Sequence, residues 1–62
     1  MTRIIKINDV ATMVALSKPS IYRLINEGKF PKQIKLSARS SGWLLSEVEQ
    51  WLEERINSRE VS

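Results

Sequence analysis

The segment from Ser17 to Pro31 brackets one short helix so tightly that it limits what can be built around it. Ser17 is a good N-cap, and Pro19 falls in the first turn, where a missing N–H does no harm. Lys18 is the alternative cap, because a residue before proline resists the α region. Ile21, Leu24 and Ile25 recur at the spacing of a single buried helical face. Gly28 can take the left-handed conformation that ends a helix, and Pro31 prevents its resumption. Phe30 is expected to tuck back into the core. So short a helix must be seated on other elements, with its opposite side left free.

The preceding residues suit a partner for it. Arg3 to Ile7 alternate and are β-branched, which predicts a short strand or an extended lead-in. Asn8 is the expected N-cap of a first helix, with Asp9 well placed in its first turn. Val10, Met13 and Val14 share one face, and that helix should stop near Ala15 or Leu16. Two helices joined by so tight a turn form a helix-turn-helix.

Downstream, Gln33-Ile34-Lys35-Leu36 alternates polar and apolar and predicts a strand. The run from Ser37 to Gly42 is turn-rich, and Trp43-Leu44-Leu45 can supply the return strand of a β-hairpin, or wing. Ser46 and Glu49 are spaced as a capping box. Val48, Trp51, Leu52, Arg55 and Ile56 then follow at helical spacing, with Glu47, Glu49, Glu53 and Glu54 solvating the outer surface. The expected architecture is mainly α with a small β-hairpin, a winged helix-turn-helix of three helices plus wing. It occupies residues 1–57 as one domain, and residues 58–62 form a fraying tail.

A chain of 62 residues has room for one small core. It has no cysteine and no histidine, which excludes disulfides, thiolate zinc sites and the usual nucleophile–base pairs. No catalytic residues, metal ligands or cofactors are therefore expected, and an enzyme is not the reading. Trp43 and Trp51 sit at core spacing rather than as base-stacking platforms. No apolar run is long enough for a membrane span and the start lacks a signal-peptide pattern, so a soluble cytoplasmic protein is expected, and no small-molecule substrate is implied.

Charge is distributed unevenly. Lys18, Arg23, Lys29, Lys32, Lys35 and Arg39 face Glu27 alone across residues 17–39, a local balance of +5 within an overall +3. Residues 46–62 carry the opposite excess, −3, from Glu47, Glu49, Glu53, Glu54 and Glu60 against Arg55 and Arg59. A basic helix on a small core, followed by a basic hairpin, suits entry into the major groove of double-stranded DNA. With Ile21, Leu24 and Ile25 inward, Pro19, Arg23 and Asn26 point outward, flanked by Ser20 and Tyr22, with Lys18 at the amino end. Arg23 is the foremost candidate for a base or phosphate contact; an i+4 surface pair with Glu27 is its plainer role. Tyr22 is either a sugar–phosphate contact or a packing residue at the core edge. Arg39 lies at the expected wing tip and can reach a minor groove, with Ser40 and Ser41 beside the backbone. Lys29, Lys32 and Lys35 would add affinity indifferent to sequence.

Ile21-Tyr22-Arg23-Leu24-Ile25, then Gly28-Lys29-Phe30-Pro31, then Gly42-Trp43 with Glu47-Val48 and Trp51-Leu52, resemble the AlpA family of phage and prophage regulators. The resemblance runs over roughly residues 4–56, in order and with matching spacing. It implies a fold similar to the winged-helix excisionases and to the DNA-binding part of MerR-type regulators. It also implies regulation of prophage or island genes, often the integrase, or a recombination role favouring excision. Further copies of the protein on DNA, and an integrase, are the implied partners. A small antirepressor-like module that binds an acidic protein surface is the competing reading from the same residues.

Overall fold

The computed structural model describes residues 3–59. In chain order it contains β1 (Ile4–Ile5), α1 (Ile7–Val14), α2 (Lys18–Asn26), β2 (Ile34–Ser37), β3 (Ser40–Leu44) and α3 (Leu45–Ser58). The strands form an antiparallel sheet in the order β1-β3-β2. Three helices with this small sheet make a winged-helix-like fold, as the sequence pattern implies. The core consists of Ile5, Val10, Val14, Ile21, Ile25, Phe30, Trp43 and Val48, so every element except β2 contributes to it.

α2 follows the local signals closely. Ser17 caps it by accepting the Ser20 N–H at 3.3 Å, and Pro19 sits in the first turn. Gly28 takes φ 74° just past the end, where the Lys29 N–H closes onto the Leu24 carbonyl at 2.8 Å and the Gly28 N–H onto Ile25 at 3.0 Å. This is the paired closure of a glycine-terminated helix.

Other boundaries depart from local preference. The strand expected over residues 3–7 is only Ile4–Ile5, because Ile7 already belongs to α1. Ile7, Val10, Ala11 and Val14 form one stripe packed into the core, so burial draws the helix start back past Asn8. Asn8 is consequently not the cap: Lys6 holds that position without a side-chain hydrogen bond, and the Asn8 carbonyl accepts from the Thr12 hydroxyl at 3.0 Å. α1 ends through Ala15, a non-glycine residue at φ 58°, with the Leu16 N–H reaching the Ala11 carbonyl at 3.3 Å.

The wing is longer and its turn tighter than the six-residue run of turn formers suggests. Ser40, Ser41 and Gly42 join β3 and pair with Ser37, Lys35 and Ile34, leaving Ala38 and Arg39 at the tip. Small side chains on β3 do not obstruct the ladder, and Gly42 lets three strands approach closely: a Cβ there would lie 2.5 Å from Ile4 Cγ2 and 3.1 Å from the Ile5 carbonyl oxygen. Leu45, expected in the return strand, instead begins α3. The capping box at Ser46 and Glu49 does not form, because β3 runs directly into the helix and the Leu45 N–H donates to the Arg3 carbonyl at 2.7 Å. Backbone just ahead of the first strand thus does the work expected of a serine side chain.

On α3, Val48 is fully buried while Trp51 and Leu52 are half-buried. The Trp51 ring packs edge-on against Phe30 at 4.8 Å, and its Nε1 donates to the Lys29 carbonyl at 2.7 Å. Arg55 lies 4.7 Å above that ring. Ile56, although in register with the stripe, is 50% exposed, since the helix extends past the core by then. α3 includes Ser58, placed in the expected tail. The fraying expected at Glu60, Val61 and Ser62 lies outside the described residues. No helix among the described residues is long and apolar enough to cross a membrane.

Candidate nucleic-acid interface

α2 is held from behind by Ile21 and Ile25, both buried, with Leu24 half-buried beside them. The 100° step between helical residues then fixes where the other side chains go. Lys18, Pro19 and Asn26 are exposed on the outer side. Tyr22 and Arg23 are exposed as well, but they belong to different flanks.

Tyr22 turns toward the wing. Its ring packs on Trp43, tilted by 53° with centroids 6.4 Å apart. Trp43 is a firm support, since it is 1% exposed and its Nε1 donates to the Pro31 carbonyl at 3.0 Å. Beside this pair is a cleft of about 280 Å³ whose polar lining comes from Lys6, Tyr22, Arg39, Ser40 and Ser41. Ile7 and Trp43 complete it. Four residues singled out in the sequence therefore meet in one place. The Arg39 N–H is steadied by the Ser37 hydroxyl at 3.4 Å, which helps shape the tip.

Lys6 is the residue that sequence reasoning missed. It precedes the first helix, remote in sequence from the basic segment. Pairing of Ile5 with Trp43 brings it to the base of the wing. Only the position of a lysine immediately before a helix start could have hinted at this, and that signal is weak.

Ser20 and Arg23 turn the other way. With Arg55 they rim a groove of about 430 Å³ whose apolar lining is Val14, Leu16, Leu24, Trp51 and Leu52. Ser20 is also engaged locally, accepting a hydrogen bond from the Ser17 hydroxyl at 2.9 Å. The surface pair between Arg23 and Glu27 is not formed: among the described residues Glu27 pairs with Lys29 instead, at 3.7 Å. Arg23 thus remains exposed without a carboxylate partner among those residues.

The remaining cations are distributed around these two flanks. Lys35 lies across from Ser41 in the hairpin register, so it shares a sheet face with Ser41 and Trp43. Lys32 is exposed in the segment leading into β2. Lys29 lines a third groove, of about 700 Å³, together with Glu47, Glu54 and Arg55. It therefore lies against the acidic helix rather than beside the wing cleft. Chemically, the wing side of α2 offers cations and hydroxyl donors around a rigid aromatic floor, an arrangement suited to phosphate oxygens.

The profile of the family described as "Prophage CP4-57 regulatory protein (AlpA)" matches residues 3–56. A protein of Enterobacteria phage P4, named ORF88, is 39% identical over 57 residues, covering 92% of this chain and 65% of its own length. The chain thus spans about two thirds of that relative. A protein of Escherichia coli K12 named "DNA-binding transcriptional activator AlpA" is 29% identical over 59 residues, covering 86% of this chain and 84% of its own.

Proposed function

The chain belongs to the AlpA family of prophage regulatory proteins, and from that premise we propose that it is a sequence-specific regulator that binds double-stranded DNA. In this reading α2 enters the major groove with Lys18, Pro19 and Asn26 foremost, and the β2–β3 hairpin carries Arg39 onto the backbone or into the adjacent minor groove. The regulated genes are those of a prophage or genomic island. The observation that carries the reading is the convergence of Tyr22 from α2 with Arg39, Ser40 and Ser41 from the wing around one cleft. The relative named as a DNA-binding activator supports it.

Arg23 reaches DNA from the flank of α2 away from the wing, where a guanidinium can still engage guanine O6 and N7. Lys32 and Lys35 supply charge without sequence preference. A mobility-shift titration on duplexes from prophage promoters and attachment sites tests the proposal. A retarded complex is expected, its log affinity falling with log salt at a slope near about −5 if five or six cations meet phosphates. Arg23→Ala should relax specificity at one base position, whereas Lys32→Ala should weaken all sequences about equally. A folded chain that shifts no duplex at about 50 mM salt overturns the reading.

A further inference from the structure

The cleft between α2 and the wing is more than one edge of a basic surface. Its polar lining combines two cations, one phenol and two aliphatic hydroxyls and, among the described residues, no carboxylate. The nearest acid in sequence, Asp9, is in the first turn of α1 and does not line it. At about 280 Å³ the cleft is at the lower edge of ligand-pocket sizes, which suits one anionic group rather than a base pair. Its floor is rigid, because Tyr22 rests on a buried and hydrogen-bonded Trp43. Ile7 also lines the cleft, so the start of α1 adjoins it, and that start has no side-chain cap.

We propose that this cleft is a dedicated seat for a single backbone phosphodiester of the bound duplex, gripped jointly by Lys6 and Arg39 with hydroxyl donors from Tyr22, Ser40 and Ser41. The inference rests on the DNA-binding reading above. It adds Lys6 to the interface and gives the seat a definite task. The three elements that meet there, the start of α1, α2 and the wing, would be tied to the same phosphate, which sets the register of α2 in its groove. Hydrogen bonds from charged donors to phosphate are the strong kind, so one such seat can fix orientation without reading any base.

The test uses a duplex that the wild-type chain binds, prepared as a set with one neutral methylphosphonate at each backbone position in turn. Binding is measured by fluorescence anisotropy for wild type, Lys6→Gln, Arg39→Gln and, as control, Lys29→Gln. Far-UV circular dichroism melts establish that each variant folds; all three side chains are exposed. One position is expected at which neutralising the phosphate weakens wild type and Lys29→Gln by about tenfold, but Lys6→Gln and Arg39→Gln by less than about threefold. The salt slope of each of those two variants should fall by about one. Full, independent penalties in Lys6→Gln or Arg39→Gln would overturn the shared seat, as would two variants that mask different phosphates. Failure of the wild-type chain to bind any duplex would instead remove the DNA-binding reading itself.

Discussion

Replacing Gly42 by alanine should disturb the junction of sheet and wing through a single methyl group. Gly42 is buried in β3, flanked by β1 on one side and β2 on the other. The added Cβ would lie 2.5 Å from Ile4 Cγ2, 3.2 Å from Leu36 Cδ1 and 3.1 Å from the Ile5 carbonyl oxygen. Ile4 and Leu36 are 42% and 45% exposed, so their side chains have room to turn. The Ile5 carbonyl has less freedom, because it is backbone in the strand that pairs with β3. Forced crowding of this kind costs about 1–3 kcal/mol. The lower entropy of the unfolded alanine chain returns about 0.4–1 kcal/mol. The midpoints of these two ranges leave a net loss of about 1.3 kcal/mol, a substantial part of the roughly 3–5 kcal/mol available to a core this small. At about 4–8 °C per kcal/mol, the melting temperature should drop by about 5–10 °C. Thermal unfolding followed by circular dichroism measures this. Ile4→Ala in the Gly42→Ala background removes the closest atom and should recover part of the loss. A Gly42→Ala protein within about 0.3 kcal/mol of wild type, or an Ile4→Ala change that adds its full cost in both backgrounds, would refute the steric reasoning.

Three further substitutions separate local preference from tertiary placement. Ala15→Gly should stabilise the protein by about 0.5–1 kcal/mol, because alanine at φ 58° carries a left-handed penalty that glycine escapes; urea unfolding measures the midpoint shift. Ile56→Gln should change stability by less than about 0.5 kcal/mol despite its place in the apolar stripe, since half of the residue already faces water, whereas Val48→Ala should cost about 2 kcal/mol; paired denaturant titrations distinguish them.

These differences follow from how far each signal travels along the chain. α2 was legible because its cap, first-turn proline, buried face and terminal glycine act within a few residues of one another. The hairpin and the last helix were legible for the same reason, as alternation and helical spacing are local patterns. So were Tyr22 and Arg39 as exposed candidates, from the helical wheel and the wing turn, whereas Ser40 and Ser41, read as turn residues, lie half-buried in β3. Their grouping was not legible, nor was the split that sends Arg23 toward Arg55 and away from the wing.

What the sequence determined by itself was the order and type of the larger elements and the charge they carry. Tertiary structure decided the rest through contacts between residues remote in the chain. β1 adds to the far side of β3 and delivers Lys6 to the wing. The Arg3 carbonyl satisfies the Leu45 N–H, so α3 starts before its serine cap. Burial of Ile7 moves the start of α1, and the end of the core leaves Ile56 in solvent. In each case a preference worth about 1 kcal/mol gives way to burial or a backbone hydrogen bond of equal or greater worth, and those appear only once the chain has closed on itself.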